Sequence, residues 1–140
     1  MVNPEWTKLI TQEIMVYFIE SLPNLYIYKD GGADLRQTTW AELYIDGPNY
    51  KKISNDRYKA RLGIELLLIS PIDLNPLSHE ELMGQIQSKL LCIPISLGIL
   101  YLQENPMGDD IETISLGLDK ELNQLSTSIH SVYELDLIKE

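Results

Sequence analysis

Between Arg57 and Ser70 the chain reads RYKARLGIELLLIS, and this stretch constrains the fold more than any other. Tyr58, Ala60, Leu62, Ile64, Leu66 and Leu68 share one face of a strand at period two. Arg57, Lys59, Arg61, Gly63, Glu65, Leu67 and Ile69 share the other, which changes from charged to apolar along its length. A helix would scatter both sets, because successive side chains alternate faces only in a strand. The pattern predicts a long antiparallel strand with one face against a core, projecting beyond the domain at its basic end.

The final segment, Gln124 to Ile138, repeats the pattern. Leu125, Thr127, Ile129, Ser131, Tyr133, Leu135 and Leu137 fall on one side, and Ser128, His130, Val132, Glu134 and Asp136 on the other. Shorter strands are expected at Leu25–Tyr28, Thr39–Ile45, Ile99–Leu102 and Ile111–Leu118, with Asp46-Gly-Pro48 ending the second and Tyr50–Ile53 as a brief extension. Turn signals stand at Lys29–Gly32 and Ser54–Asp56, and Asn105–Asp110 reads as a loop.

Two stretches have helical spacing. Asn3-Pro4 offers an N-cap and a first-turn proline, and Trp6, Ile10, Ile14, Tyr17 and Phe18 form an apolar stripe to about Ser21. Ser78 and Glu81 read as a capping box with Leu77 stapling onto Leu82, and Leu82, Met83, Ile86 and Leu90 form the stripe of a helix reaching about Cys92. Pro94 is expected to end it. The element order predicts an α+β fold, one domain over residues 1–140, with a mainly antiparallel sheet and two helices packed on one face.

Charge is unevenly divided. Residues 1–70 hold 8 Lys/Arg against 9 Asp/Glu, and residues 71–140 hold 3 against 12. With a net charge of -10 the chain is a poor general binder of DNA, whose phosphates demand cations. No run approaches the roughly 20 apolar residues of a membrane span, and no signal peptide is visible. A lone cysteine rules out an internal disulfide and fits a reducing cytoplasm. Cys92, among Leu90, Leu91 and Ile93, is expected to be a buried thiol.

Nothing in the sequence builds a catalytic site, so no enzyme activity, cofactor or metal is expected. His79, in the first turn of the second helix, is expected to be solvated, and His130 to point outward; neither has a Cys or His at zinc spacing. Asp109, Asp110 and Glu112 lack the alternating spacing of a calcium loop. Lys51, Lys52, Arg57, Lys59 and Arg61 with Tyr50 and Tyr58 resemble a nucleic-acid ribbon in composition, but Tyr58 lies on the opposite face from the cations. The remaining use of the cations is a contact between copies. Lys51, Lys52, Arg57, Lys59 and Arg61 of one chain would meet an acidic edge of the next, Glu134 and Asp136 of the last strand or the loop at 109–112, and such a contact between unlike patches closes into a ring where the rotation allows.

The order of elements resembles the tail terminator and related neck proteins of tailed bacteriophages. The likeness is carried by Trp40-Ala-Glu-Leu-Tyr-Ile-Asp-Gly-Pro48, the strand from Arg57 to Ser70, the helix from Ser78 to Leu91 and the closing strand from Ser126 to Ile138. It implies a hexameric ring in the virion, assembled in the host cytoplasm, that ends tail-tube growth and docks the tail to the head. Genome DNA would pass through its lumen without specific binding, and tube, sheath and adaptor proteins would be its neighbours. The loop at 29–38 and the hairpin near 46–57 would make those contacts. The likeness supplies no catalytic residue. A head-completion or adaptor role in the same neck stays open, as does a small acidic regulator or inhibitor acting as a monomer.

Overall fold

A computed structural model describes residues 5–29, 39–71, 76–104, 110–121 and 123–139. Two helices, α1 (Glu5–Ser21) and α2 (Pro76–Leu90), accompany strands β1 (Tyr26–Lys29), β2 (Trp40–Lys52), β3 (Arg57–Pro71), β4 (Ile93–Ile95), β5 (Gly98–Gln103), β6 (Ile111–Asp119) and β7 (Gln124–Ile138). The architecture is α+β, with a mostly antiparallel and strongly curled sheet.

The two long strands form its spine. β3 and β7 pair antiparallel without interruption from Arg57↔Ile138 to Pro71↔Gln124. β2 lies on the far side of β3, and β1 pairs parallel with β2 at the edge. The other side of β7 is shared by two strands. Gln103 of β5 stands opposite Val132, and Ile111 of β6 opposite Ser131, so β5 and β6 follow one another along the same edge. β4 closes that side by pairing with β5 through the turn at Ser96–Leu97.

The basic end therefore does not project as a free hairpin. Lys59 and Arg61 are flanked by β2 on one side and β7 on the other. A second departure lies in β2, which continues through Asp46-Gly-Pro48 instead of breaking. Asp46 pairs with Gly63 and Asn49 with Arg61, so β2 spends one more residue than β3 across this step, a β-bulge. Gly47 takes φ 96 there, and a Cβ on it would stand 3.0 Å from the Arg61 carbonyl oxygen. A side chain is excluded by both the backbone angle and the space. Gly47–Pro48 is a cis peptide.

Both helices cover one face, as the stripes predict. Trp6, Ile10, Ile14 and Phe18 of α1 are buried, and each apolar side chain so enclosed contributes about 1.5–3 kcal/mol. Trp6 meets Tyr58 edge-on at 5.5 Å and Tyr50 at 5.8 Å between ring centroids. The bulge makes this possible: it reverses the parity of β2, turning Tyr50 toward the helix. α2 begins at Pro76, so Ser78 lies within its first turn and is not the cap the Ser78–Glu81 spacing suggests. Its last carbonyls are satisfied by tyrosines. Tyr133 Oη donates to Leu90 O at 2.6 Å, and Tyr17 Oη to Lys89 O at 2.8 Å. Burial raises the pKa of both phenols, which keeps them donors.

α2 ends at Leu90, short of the stop expected at Pro94, and Pro94 sits inside β4, an edge strand where a missing N–H is tolerated. Ser96, in the following turn, donates through N and Oγ to Glu13 of α1. Two expectations about single side chains fail. Cys92 is exposed, just past the end of α2, and not buried. His79 is 4% exposed and not solvated, because α2 lays its first turn directly on the sheet. Its Nδ1 bonds Ser70 Oγ and its Nε2 bonds Thr127 Oγ1 at 2.9 Å, so the neutral ring is satisfied on both sides.

Burial lowers the pKa of His79, with Glu80 opposing more weakly. The unfolded chain therefore binds this proton more readily than the folded one, and stability rises with pH through the window below about 6.5. The thermal midpoint should fall between about pH 7 and pH 5, and His79→Gln should flatten that fall in differential scanning calorimetry. Tyr133→Phe should cost about 1–3 kcal/mol in urea denaturation, because the buried Leu90 carbonyl loses its donor.

Candidate subunit interface

Neither helix packs on the second face of the sheet, and the charged residues singled out above gather there. Arg57, Lys59 and Arg61 alternate outward along β3 because their neighbours Tyr58, Ala60 and Leu62 are core. The register sets Lys59 opposite Asp136 and Arg61 opposite Glu134 on β7. On β2 the bulge directs Lys51 to this face, directly across from Lys59, and sends Lys52 to the helix side, across from Tyr58. Six of the seven candidate residues thus share one surface, and Lys52 does not.

Within that surface the charges already meet in one chain. Lys59 Nζ lies 3.3 Å from Glu134 Oε2, diagonally across the β3–β7 ladder. Lys59 and Glu134, expected on two copies, form an ion pair within one. Both side chains are partly exposed, so the pair contributes at most about 1 kcal/mol. Lys51, Arg57 and Arg61 have no ion-pair partner among the described residues. Tyr50 and Tyr58 are committed to Trp6 on the opposite side, and Tyr50 Oη bonds Thr7 Oγ1 at 2.7 Å. Tyr50 and Tyr58 are therefore not free to stack on bases, and an exposed ring on the cations' own face is Tyr101 of β5, directly opposite Glu134.

Farther along the same face the character changes. Tyr44, Glu65, His130 and Glu112 stand side by side across β2, β3, β7 and β6, each directly opposite the next. His130 Nε2 lies 3.1 Å from Glu112 Oε2, and Ser128 Oγ donates to Glu65. Glu42 accepts from Tyr44 Oη at 2.6 Å and from Trp40 Nε1 at 3.0 Å. The sequence reads His130 as an outward residue and Glu112 as part of an acidic cluster with Asp109 and Asp110. Their pairing was hidden because it depends on the β6–β7 register, which no single-strand pattern reveals. At the far end, Trp40 and Ile69 are opposite partners and both buried, completing the change from charged to apolar.

No metal-binding group of His, Cys, Asp and Glu occurs among the described residues. Asp109 lies outside them, Asp110 is exposed, and Glu112 is held by His130. His79 and Ser70 are buried and hydrogen-bonded to each other, with His79 at the wall of a depression it shares with Met83, Gln87 and Thr113. No described helix is long and apolar enough to cross a membrane.

The Lys59–Glu134 geometry makes a clear expectation. Lys59→Ala should lower monomer stability by no more than about 1 kcal/mol, whereas Trp6→Ala, which removes a core anchor, should cost about 3–5 kcal/mol, both by urea denaturation.

No protein-family model matches the chain, and no curated protein matches it. Solved structures do match. In one of them, a protein that bears no functional name, the likeness has a TM-score of 0.61 at 13% identity and covers 93% of this chain and 98% of that one. At this identity the two chains are similar in fold.

Proposed function

We propose that this protein is a ring-forming structural subunit at the head–tail junction of a tailed bacteriophage, a terminator that ends tail-tube growth and docks the tail to the head. The observation that carries this reading is the division of the sheet. One face is filled by α1 and α2, and the other displays an ordered array of charged groups that no described element covers. Side chains fixed by hydrogen bonds across four strands form a rigid, chemically graded surface suited to a protein contact. The resemblance of the element order to the terminator and neck families supports the same reading. Its neighbours would be further copies of this chain, tube or sheath subunits, and an adaptor, with DNA passing through the lumen.

A head-completion or adaptor role uses the same surface and ring. A monomeric regulator does not, and oligomeric state separates them. The chain alone, or mixed with tail tubes, should give closed rings with a central opening in electron micrographs. It should also appear as a cap at tube ends, with tube length no longer increasing. A chain that stays monomeric at micromolar concentration and leaves tube growth unchanged overturns the proposal.

A further inference from the structure

We infer that the acidic notch around Gly63 receives the basic β2–β3 end of a second copy of this chain. The inference deepens the ring reading and rests on it. The notch is a depression of about 450 Å3 lined by Tyr44, Asp46, Glu65, His130 and Val132, with Gly63 at its floor. Gly63 is not required there by its backbone. A Cβ would stand 3.6 Å from Asp46 Cβ and 3.9 Å from Ser131 O, ordinary contact distances. Its effect is to leave the floor without a side chain, between two carboxylates.

The opposite charge lies at the other end of the same face. Lys51 stands directly across from Lys59, a like-charge pair that disfavours the isolated strand ladder. Lys59 has Glu134, but Lys51 and Arg57 have no ion-pair partner among the described residues. Arg57 is about 20 Å from Gly63 along β3, at roughly 3.3 Å per residue. That separation is beyond the reach of a side chain, so Arg57 cannot fill the notch of its own chain, and Arg61, two positions from Gly63, lines the neighbouring depression with Lys51, Lys59 and Glu134 and not the notch. The basic end of a second copy can fill it. Ile53 and Ile138, 56% and 62% exposed, flank the cations and supply apolar area, with Val132 in the notch to receive it. Apolar burial then gives affinity, and the charges give register and orientation. The two patches differ, so the contact is head-to-tail and propagates until it closes.

Two charge-reversed variants test this, with sedimentation velocity for assembly and circular dichroism for folding. Lys51→Glu with Arg57→Glu reverses the basic end. The first change places a carboxylate opposite Lys59, so lost assembly in this variant is not lost folding. Asp46→Lys with Gly63→Lys fills and reverses the notch. Each variant alone should assemble about tenfold or more less tightly than the wild type, and an equimolar mixture should restore assembly through the complementary pairing. Wild-type assembly should weaken from about 50 mM to about 500 mM salt. That measurement stands whether or not the notch variant folds. Variants that assemble like the wild type, or wild-type assembly indifferent to salt, overturn the notch contact and leave the ring intact. A wild type that never assembles overturns both. Duplex DNA retained by the wild-type monomer and released by the Lys51/Arg57 variant assigns the basic end to nucleic acid and overturns the contact as well.

Discussion

The structure depends on the unbroken antiparallel ladder between β3 and β7. Side chains alternate across a strand, so once Arg57 is opposite Ile138 every later residue of both strands is assigned to a face. A slip of one position in β3 would carry Leu62 and Ile64 out to water and bring Lys59 into the core, and a slip in β7 would do the same with Tyr133 and Glu134. Burial of the apolar set forbids that slip. The same rule that builds the core therefore builds the charged surface, and neither can change register without the other.

The helices add a second constraint. α2 ends with carbonyls that would otherwise be unpaired near the core, and Tyr133 and Tyr17 reach them from β7 and α1. The three elements are tied at one point by phenolic hydrogen bonds. At the other end of α2, His79 joins Ser70 of β3 to Thr127 of β7. Polar bonds thus fix the helix at both ends, and its apolar face buries Ile86 and Leu90 fully.

Much of this was legible in the residues. The faces of β3 and β7, the stripe of α1 and the placement of both helices on one side all follow from periodicity, a local property. What was not legible depends on relations between segments. The bulge at Asp46–Asn49 reverses parity, and nothing in YKK itself says that Tyr50 and Lys52 turn inward while Lys51 turns out. His79 looks like an ordinary first-turn residue until the sheet beneath it is known. Cys92 reads as buried from its apolar neighbours, yet the chain has already left the helix there. The Lys59–Glu134 pair joins residues far apart in sequence, so charge counting placed them on separate molecules.

The shared edge formed by β5 and β6 has its own consequence. The chain departs after Gln103 and rejoins at Ile111, and these residues face consecutive positions on β7, Val132 and Ser131. The two strand ends are held by the same template, so each is aligned by its own pairing with β7. A change that weakens the pairing of one of these strands therefore leaves the hydrogen-bonding positions of the other on β7 intact.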